Sequence, residues 1–382
     1  MASEVHDVVV IGGGLIGMST AYFLAKAGRD VCVLEKGILG GEASGRCGGG
    51  VGQSHREPGE LPIAARAIEL WKALLEESDL DFEYRQHGNL RLAWNEQDVA
   101  DLQAMVEREQ AEGLDCRWLD RAETRSLAPY IADGTYLGSV YTPSSGSAEP
   151  YLSCVAMARA ASRAGAILHE HREATRIDTA KGEVTGVQTS TGPIATRVVV
   201  NAANAWAATI SVRSPYRIPV EVKRGRILMT EQLPPFMGPF ISTNKYGYHR
   251  QTLSGNVLLG FPSQPLESLD RTFTYQDMVE GARTVATVFP GLRNVSVIRA
   301  FTGFTAWSPD FRPIVGALEE PQGLIVAAVF CGLGFAIGPA IGELVAQLVL
   351  DGQTSLPIAQ FSPYRFSRPG ASETASGSQK EM

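Results

Sequence analysis

Three glycines at GxGxxG spacing, Gly12, Gly14 and Gly17, fall between an apolar run, "DVVVI", and a stretch of helical periodicity from Leu15 to Ala27. The chemistry this pattern serves is phosphate binding. Gly12 permits a tight turn, Gly14 lets backbone approach a pyrophosphate, and Gly17 lets the helix pack on the strand. Unpaired N–H groups at the helix start then meet the phosphates. Glu35 stands 21 residues beyond Gly14, at the end of a second apolar run, "DVCVLE". A carboxylate there holds ribose hydroxyls and repels the 2′-phosphate of NADP. Strand, glycine turn, helix, strand and acid in this order make a specific dinucleotide fingerprint that leaves NAD and FAD both open.

Two further stretches bear on that choice. The loop "GGEASGRCGGGVGQ", residues 40 to 53, offers Ser44 as a hydrogen-bond donor and Arg46 as a cation near phosphate. Its Gly48, Gly49 and Gly50 would let backbone lie against a flat ring, although the same composition also suits a plain surface loop. Near the end, "VFCGLGFAIGPAIGELVAQLVL" reads as a strand over 324–330 running through Gly332 and Gly334 into a helix near Pro339, expected as its first residue. That helix start can face the edge of a flavin where reduction builds negative charge.

Polar candidates for a substrate site are Tyr248, His249 and Arg250 on a 246–251 strand, with His55 and Arg56 after the glycine loop. Side chains alternate along a strand, so either His249 or the Tyr248/Arg250 pair faces the reaction. Arg250 leads for a substrate carboxylate because its planar fork suits one. His249 reads equally as a structural histidine, and Arg56 as half of a surface ion pair. The "VKRGR" run at 222–226 reads as a solvated strand edge. No metal-ligand pattern stands out.

The elements that must position these groups follow from periodicity and turn chemistry. Residues 61–77 place Ala67, Leu70, Trp71 and Leu74 on one helical face. Asn95 caps a second helix carrying Val99, Leu102 and Val106, and Asp120 with Glu123 has capping-box spacing. These helices look like an insertion rather than a continuation of a parallel sheet. Pro150 opens a helix that closes at Gly165, strands follow at 167–170, 173–178 and 184–189, and a hairpin is expected around Ser254-Gly255. Residues 367–382 read as a disordered tail.

The 382 residues, 44% hydrophobic, suffice for two domains or one large one. A net charge of −7 argues against nucleic acid as a partner. Five scattered cysteines without a CxxC pair fit a reducing, cytoplasmic setting. Residues 323–350 are long and apolar, but glycines and Pro339 split them into strand, turn and helix, which argues against a transmembrane segment.

Together the fingerprint, "ASGRCGGGV", "TRVVVNAANAW", "RQTLSGNVLLGF" and "RAFTGFTAWSPDFRPIVG" resemble the D-amino acid oxidase superfamily of FAD-dependent oxidoreductases. Within it the chain looks most like sarcosine oxidase β subunits and proline or opine dehydrogenase subunits. The resemblance covers nearly everything but the tail. It implies an α/β fold: a Rossmann-like FAD-binding domain over 1–57, 144–214 and 311–366, and a discontinuous α+β substrate domain over 58–143 and 215–310. Implied FAD contacts are Gly12, Gly14, Leu15, Ile16, Gly17, Glu35, Lys36, Ser44, Arg46 and Gly48 to Gly50. Thr175 would meet adenine, Ala203 the pyrophosphate, and Cys331, Gly332, Leu333, Gly334, Phe335 and Ala336 would run under the isoalloxazine ring.

The departures concern the substrate. Carboxylate-binding arginines of glycine-oxidase-like members align with Thr305 and Gly332; the flavin-linked cysteine and carboxylate-binding lysine of monomeric sarcosine oxidases align with Gly303 and Ala336. Asn204 stands where relatives commonly have glycine. The resemblance therefore implies non-covalent FAD, hydride removal to flavin N5 from the carbon beside an amine, and partner subunits that carry electrons onward. Two alternatives stay open: oxidation of a 2-hydroxy acid on the same scaffold, and a non-catalytic electron-relay subunit.

Overall fold

The computed structural model describes residues 4–266 and 268–366; the expected tail at 367–382 lies outside the described residues. Seven α-helices occur among them: α1 (Leu15–Lys26), α2 (Leu61–Glu77), α3 (Glu96–Ala111), α4 (Arg121–Leu127), α5 (Pro150–Arg163), α6 (Tyr275–Val288) and α7 (Gly334–Asp351). Their starts follow the local chemistry. Asn95 accepts from the Asp98 N–H, Asp120 and Glu123 close a capping box on α4, and Pro150 opens α5 as expected.

A six-stranded sheet forms the nucleotide side. Its order is Ile314–Ala317, Leu324–Ala328, Val198–Asn201, Val8–Ile11, Val31–Leu34 and Ile167–His169. All neighbours run parallel except the first pair. Such strands are covered on both faces, which explains their unbroken Val/Ile/Leu runs. A five-stranded sheet with Glu183–Thr189 at its centre lies beside it.

An eight-stranded, mostly antiparallel sheet forms the other half. It runs Val297–Trp307, Glu221–Gln232, Asn256–Pro265, Gly247–Gln251, Phe240–Thr243, Asn89–Ala93, Gly138–Thr142 and Arg117–Leu119. Its strands come from the two segments expected to make a substrate domain, and 247–251 pairs with 256–265 as the expected hairpin.

Three elements differ from expectation. Helix α2 meets the inserted helix α3 only through its first residue, Leu61; Ile63, Ala67 and Trp71 enter the core shared by α1, α5 and α7. The Trp71 indole donates to the Ala336 carbonyl at 2.9 Å, tying α2 to the first turn of α7. Most of the apolar face of α2 thus has its partner on the nucleotide side. Second, α7 begins at Gly334, so Pro339 lies inside it and leaves the Phe335 carbonyl without its intrahelical N–H. Third, Arg224 and Arg226 are buried and both pair with Asp277 on α6. Their strand lies inside the sheet, and α6 covers it.

Helix α7 is the one helix among the described residues long and apolar enough to cross a membrane. It packs instead against α1 and α2, with Ala340, Ile341, Leu344 and Val345 fully buried.

Candidate active site

The cofactor cleft is built where the first parallel strand turns into α1. Gly12 has φ +110°, and a Cβ there would lie 2.6 Å from the Ala202 carbonyl oxygen. A Cβ on Gly17 would lie 2.0 Å from the Gly12 oxygen. Both contacts demand glycine, and they bring the start of α1 against the strand end. Gly14, the N-cap, offers no side chain, and Ser44 Oγ accepts from the Leu15 N–H at 3.0 Å. A hydroxyl that accepts there can still donate to an anion.

Glu35 is buried at the end of the second strand. Its two oxygens accept from the Gly13 N–H at 2.9 Å and the Gly37 N–H at 2.8 Å. Each oxygen keeps a lone pair for a ribose hydroxyl. Lys36 lies 3.7 Å over the Trp206 ring, and burial lowers the lysine pKa. Gly12, Gly14, Ile16, Glu35, Lys36, Ser44 and Ala203 all line one cleft. Leu15 and Gly17 stand behind that lining, buried. Thr175 is exposed, with its hydroxyl donating to the Gln188 carbonyl; Glu173 and Ala174 line the cleft in its place. These residues fit FAD: an open helix start for the pyrophosphate and a seated carboxylate for the ribose.

The far end of the cleft is shared with a second chamber. Cys331, Gly332 and Phe335 line both; Leu333 and Ala336 line the chamber, and Gly334 the cleft. The turn before α7 is strained, with Val329 at φ 60° and Cys331 at φ 51°. A β-branched residue in that region costs free energy that its surroundings must supply. Asn204 answers part of it: its Oδ1 accepts from the Val329 N–H at 3.1 Å. Asn204 itself sits at φ 45°, a region that asparagine tolerates.

Sheet register decides what faces the chamber. Arg91 pairs with Ser242, Ser242 with Tyr248, and Tyr248 with Gly260, so these four share one face. Leu90, Ile241, His249 and Leu259 share the other. Tyr248 accordingly lines the chamber, and His249 does not. His249 is fully buried in the apolar core behind the sheet, edge-on to Phe289 at 4.9 Å, and desolvation lowers its pKa to about 3. It is a core histidine.

Arg250 shares the Tyr248 face but is not part of the chamber lining. It is buried, and its Nε donates to the Gly48 carbonyl at 2.8 Å. That bond spends its Nε–H on fixing the glycine loop. That loop lines the chamber through Gly48, Gly49 and Gly50, but the flat rings laid on it are the protein's own. A Cβ on Gly48 would meet the Tyr248 ring at 2.2 Å, and one on Gly50 the Phe240 ring at 3.0 Å. Arg46 lines the chamber, with its Nε donating to the Gly41 carbonyl at 2.7 Å. His55 lines it from a left-handed backbone, φ 65°.

Two cations change standing. Arg56 is 5% exposed and lines the chamber rather than making a surface ion pair. Arg91, which sequence reasoning missed, lines it from the 89–93 strand. The alternation in "NLRLA" carried the signal: Leu90 and Leu92 go to the core, so Arg91 must go the other way. Desolvation lowers the pKa of both guanidiniums, that of Arg91 to about 10. Thr305, Gly303, Gly332 and Ala336, the positions where the resemblance implied departures, all line the chamber too. Among the described residues, no Asp or Glu lines it. Burial pushes the thiol pKa of Cys47 to about 12 and of Cys331 to about 11, so neither is a thiolate at neutral pH.

A dinucleotide cleft that opens onto a cationic chamber roofed by an antiparallel sheet is the architecture of a flavin-dependent oxidoreductase. The chain belongs to the FAD dependent oxidoreductase family abbreviated DAO, whose model matches residues 7–348. It is 30% identical over 366 residues to a glycine oxidase of Geobacillus kaustophilus, covering 94% of this chain and 96% of that one. It is 26% identical to the sarcosine oxidase subunit beta of Rhodobacter capsulatus, covering 94% and 88%. A solved L-proline dehydrogenase of P. horikoshii superposes with a TM-score of 0.90 at 32% identity, covering 96% and 99%. The protein is an FAD-dependent amine or amino-acid oxidoreductase.

Proposed function

We propose that the chain oxidises a secondary amine derived from an amino acid, of the sarcosine, proline or opine type, to an imine that water hydrolyses. One observation carries this reading: among the described residues the chamber is lined by the guanidiniums of Arg46, Arg56 and Arg91, with His55, and by no carboxylate. A cationic wall disfavours an ammonium ion and favours the neutral amine, whose lone pair must assist departure of the neighbouring hydride. The same wall attracts the carboxylate that an amino-acid derivative carries. His249 points away from the chamber, and burial raises the Tyr248 pKa. Orientation of the C–H bond is what the Tyr248 ring and the glycine loop supply.

Bound FAD supplies the two-electron acceptor. Protonated thiols and the glycine at 303 support its being held without a covalent link. Similarity to a sarcosine oxidase β subunit supports transfer of electrons to partner subunits, and five free cysteines support a reducing, cytoplasmic setting. The test is anaerobic addition of sarcosine, proline and N-carboxyalkyl amino acids to the holoprotein. Bleaching of the flavin band near ~450 nm by one of these, and not by matched 2-hydroxy acids, is expected. Bleaching by hydroxy acids alone would replace the amine reading, and bleaching by neither would leave an electron-relay subunit.

A further inference from the structure

We propose that Arg91, on the 89–93 strand, is the substrate-carboxylate anchor. The inference rests on the amino-acid reading of the same site. Thr305 and Gly332 line the chamber without offering a cation, and Arg250 is occupied at Gly48. That leaves Arg46, Arg56 and Arg91. The Arg46 Nε is held by the Gly41 carbonyl, beside the loop that serves the cofactor.

Arg91 is the best placed of these. Its guanidinium bonds to the neutral side-chain oxygen of Asn244, and its buried Nε has no hydrogen-bond partner. It forms no ion pair with a carboxylate among the described residues. Asn89 and Arg91 stand on the chamber face of one strand beside Ser242 and Phe240 of the next, and all four line the chamber. The wall around the cation is therefore polar on one side and aromatic on the other.

Arg56 supports the same end of the chamber. Its Nε and one terminal nitrogen are buried without partners, and the other terminal nitrogen donates to the Gly52 carbonyl. The carboxylate of Glu109 acts electrostatically on both arginines but is itself engaged by the Ser54 hydroxyl and the Arg56 backbone N–H. Glu60 also acts on Arg56 and Asp98 on Arg91, but none of these three carboxylates lines the chamber, so it is the guanidiniums that meet the cavity. Buried donors without partners cost free energy, and a bound carboxylate with four acceptor sites removes that cost. Arg rather than Lys suits this role, because the fork holds a carboxylate in one plane and so fixes the direction of the C–H bond.

The test uses the FAD-loaded protein and a redox-inert pair, cyclopentanecarboxylate and cyclopentylmethanol, by titration calorimetry, in wild type, Arg91→Met and Arg91→Lys. The acid is expected to bind wild type, with binding weakened roughly 100-fold in Arg91→Met and roughly tenfold in Arg91→Lys. The alcohol's binding, the FAD content and the Tm are expected to stay unchanged. If Arg91→Met does not fold, Arg91→Lys, which keeps length and charge, decides alone. Equal acid binding in the variants and wild type would overturn the anchor, as would wild type binding acid and alcohol alike. Neither arm needs turnover, so a failure of the amine reading in the bleaching assay is seen separately. If an amine does bleach the flavin, KM for proline should rise in the variants while that for pyrrolidine does not.

Discussion

Replacing Gly17 by alanine tests whether the start of α1 holds the cofactor. The new Cβ would lie 2.0 Å from the Gly12 carbonyl oxygen, a backbone atom with nowhere to turn. A carbon–oxygen contact needs ~3.3 Å, so strand and helix must part by about 1 Å. The N–H groups at the helix start move with the helix. A phosphate hydrogen bond of about 2.9 Å stretched by about 1 Å is no longer a hydrogen bond. Loss of two charge-assisted bonds at ~1.5 kcal/mol each, the low end for such bonds, costs about 3 kcal/mol, or roughly 100-fold in affinity. Overpacking adds about 1–3 kcal/mol against the fold itself. Fluorescence titration of the apoprotein with FAD measures the first effect, and thermal melting of the apoprotein the second. An FAD Kd within about threefold of wild type would refute the reasoning, since the clash would then have been relieved without moving the phosphate site.

Other variants separate the remaining roles. Arg250→Met should strand the Gly48 carbonyl, lowering stability by about 1–3 kcal/mol in denaturant titration and weakening FAD. It should leave the ratio of acid to alcohol binding unchanged, and a selective loss of acid binding would move the anchor from Arg91 to Arg250. His249→Leu should flatten the acid limb of stability. The folded pKa of about 3 lies below the unfolded 6.5, so stability is full above pH 6.5 and is lost as pH falls from there towards 3. At pH 4.5, two units below 6.5, that loss is on the order of 3 kcal/mol. Wild type should therefore lose about that much more than the variant between pH 7.5 and 4.5, and parallel losses would contradict a neutral buried imidazole. Trp71→Phe removes the bond to the Ala336 carbonyl and should cost about 1–3 kcal/mol in denaturant titration; an unchanged midpoint would show that α2 is not tied to the chamber floor.

The nucleotide half was legible because its signals are local. Gly12, Gly14, Gly17 and Glu35 lie within one strand–helix–strand unit whose geometry their spacing nearly determines. Alternation also said correctly that His249 and Arg250 oppose each other, but not which face was wet. That depended on α6 and Phe289 covering the sheet from behind, a contact 40 residues away in sequence. The same non-local packing hid the burial of Arg224 and Arg226 under α6 and the docking of α2 on α7. Arg91 went unseen because the 89–93 strand joins 240–243 across about 150 residues, and nothing near "NLRLA" announces that neighbour. Pro339 misled because it favours a first helical turn, while the observed helix starts five residues earlier and carries the proline inside.

The central claim is that this chamber removes hydride from the carbon beside an amine. Its most direct test is the rate of anaerobic flavin bleaching with the best amine substrate, compared with the same amine deuterated at that carbon. The account predicts a bleaching rate slowed several-fold by deuterium and unaffected by deuterium placed elsewhere. Equal rates for the two isotopologues in a step shown to be chemistry, or bleaching only by 2-hydroxy acids, would contradict it.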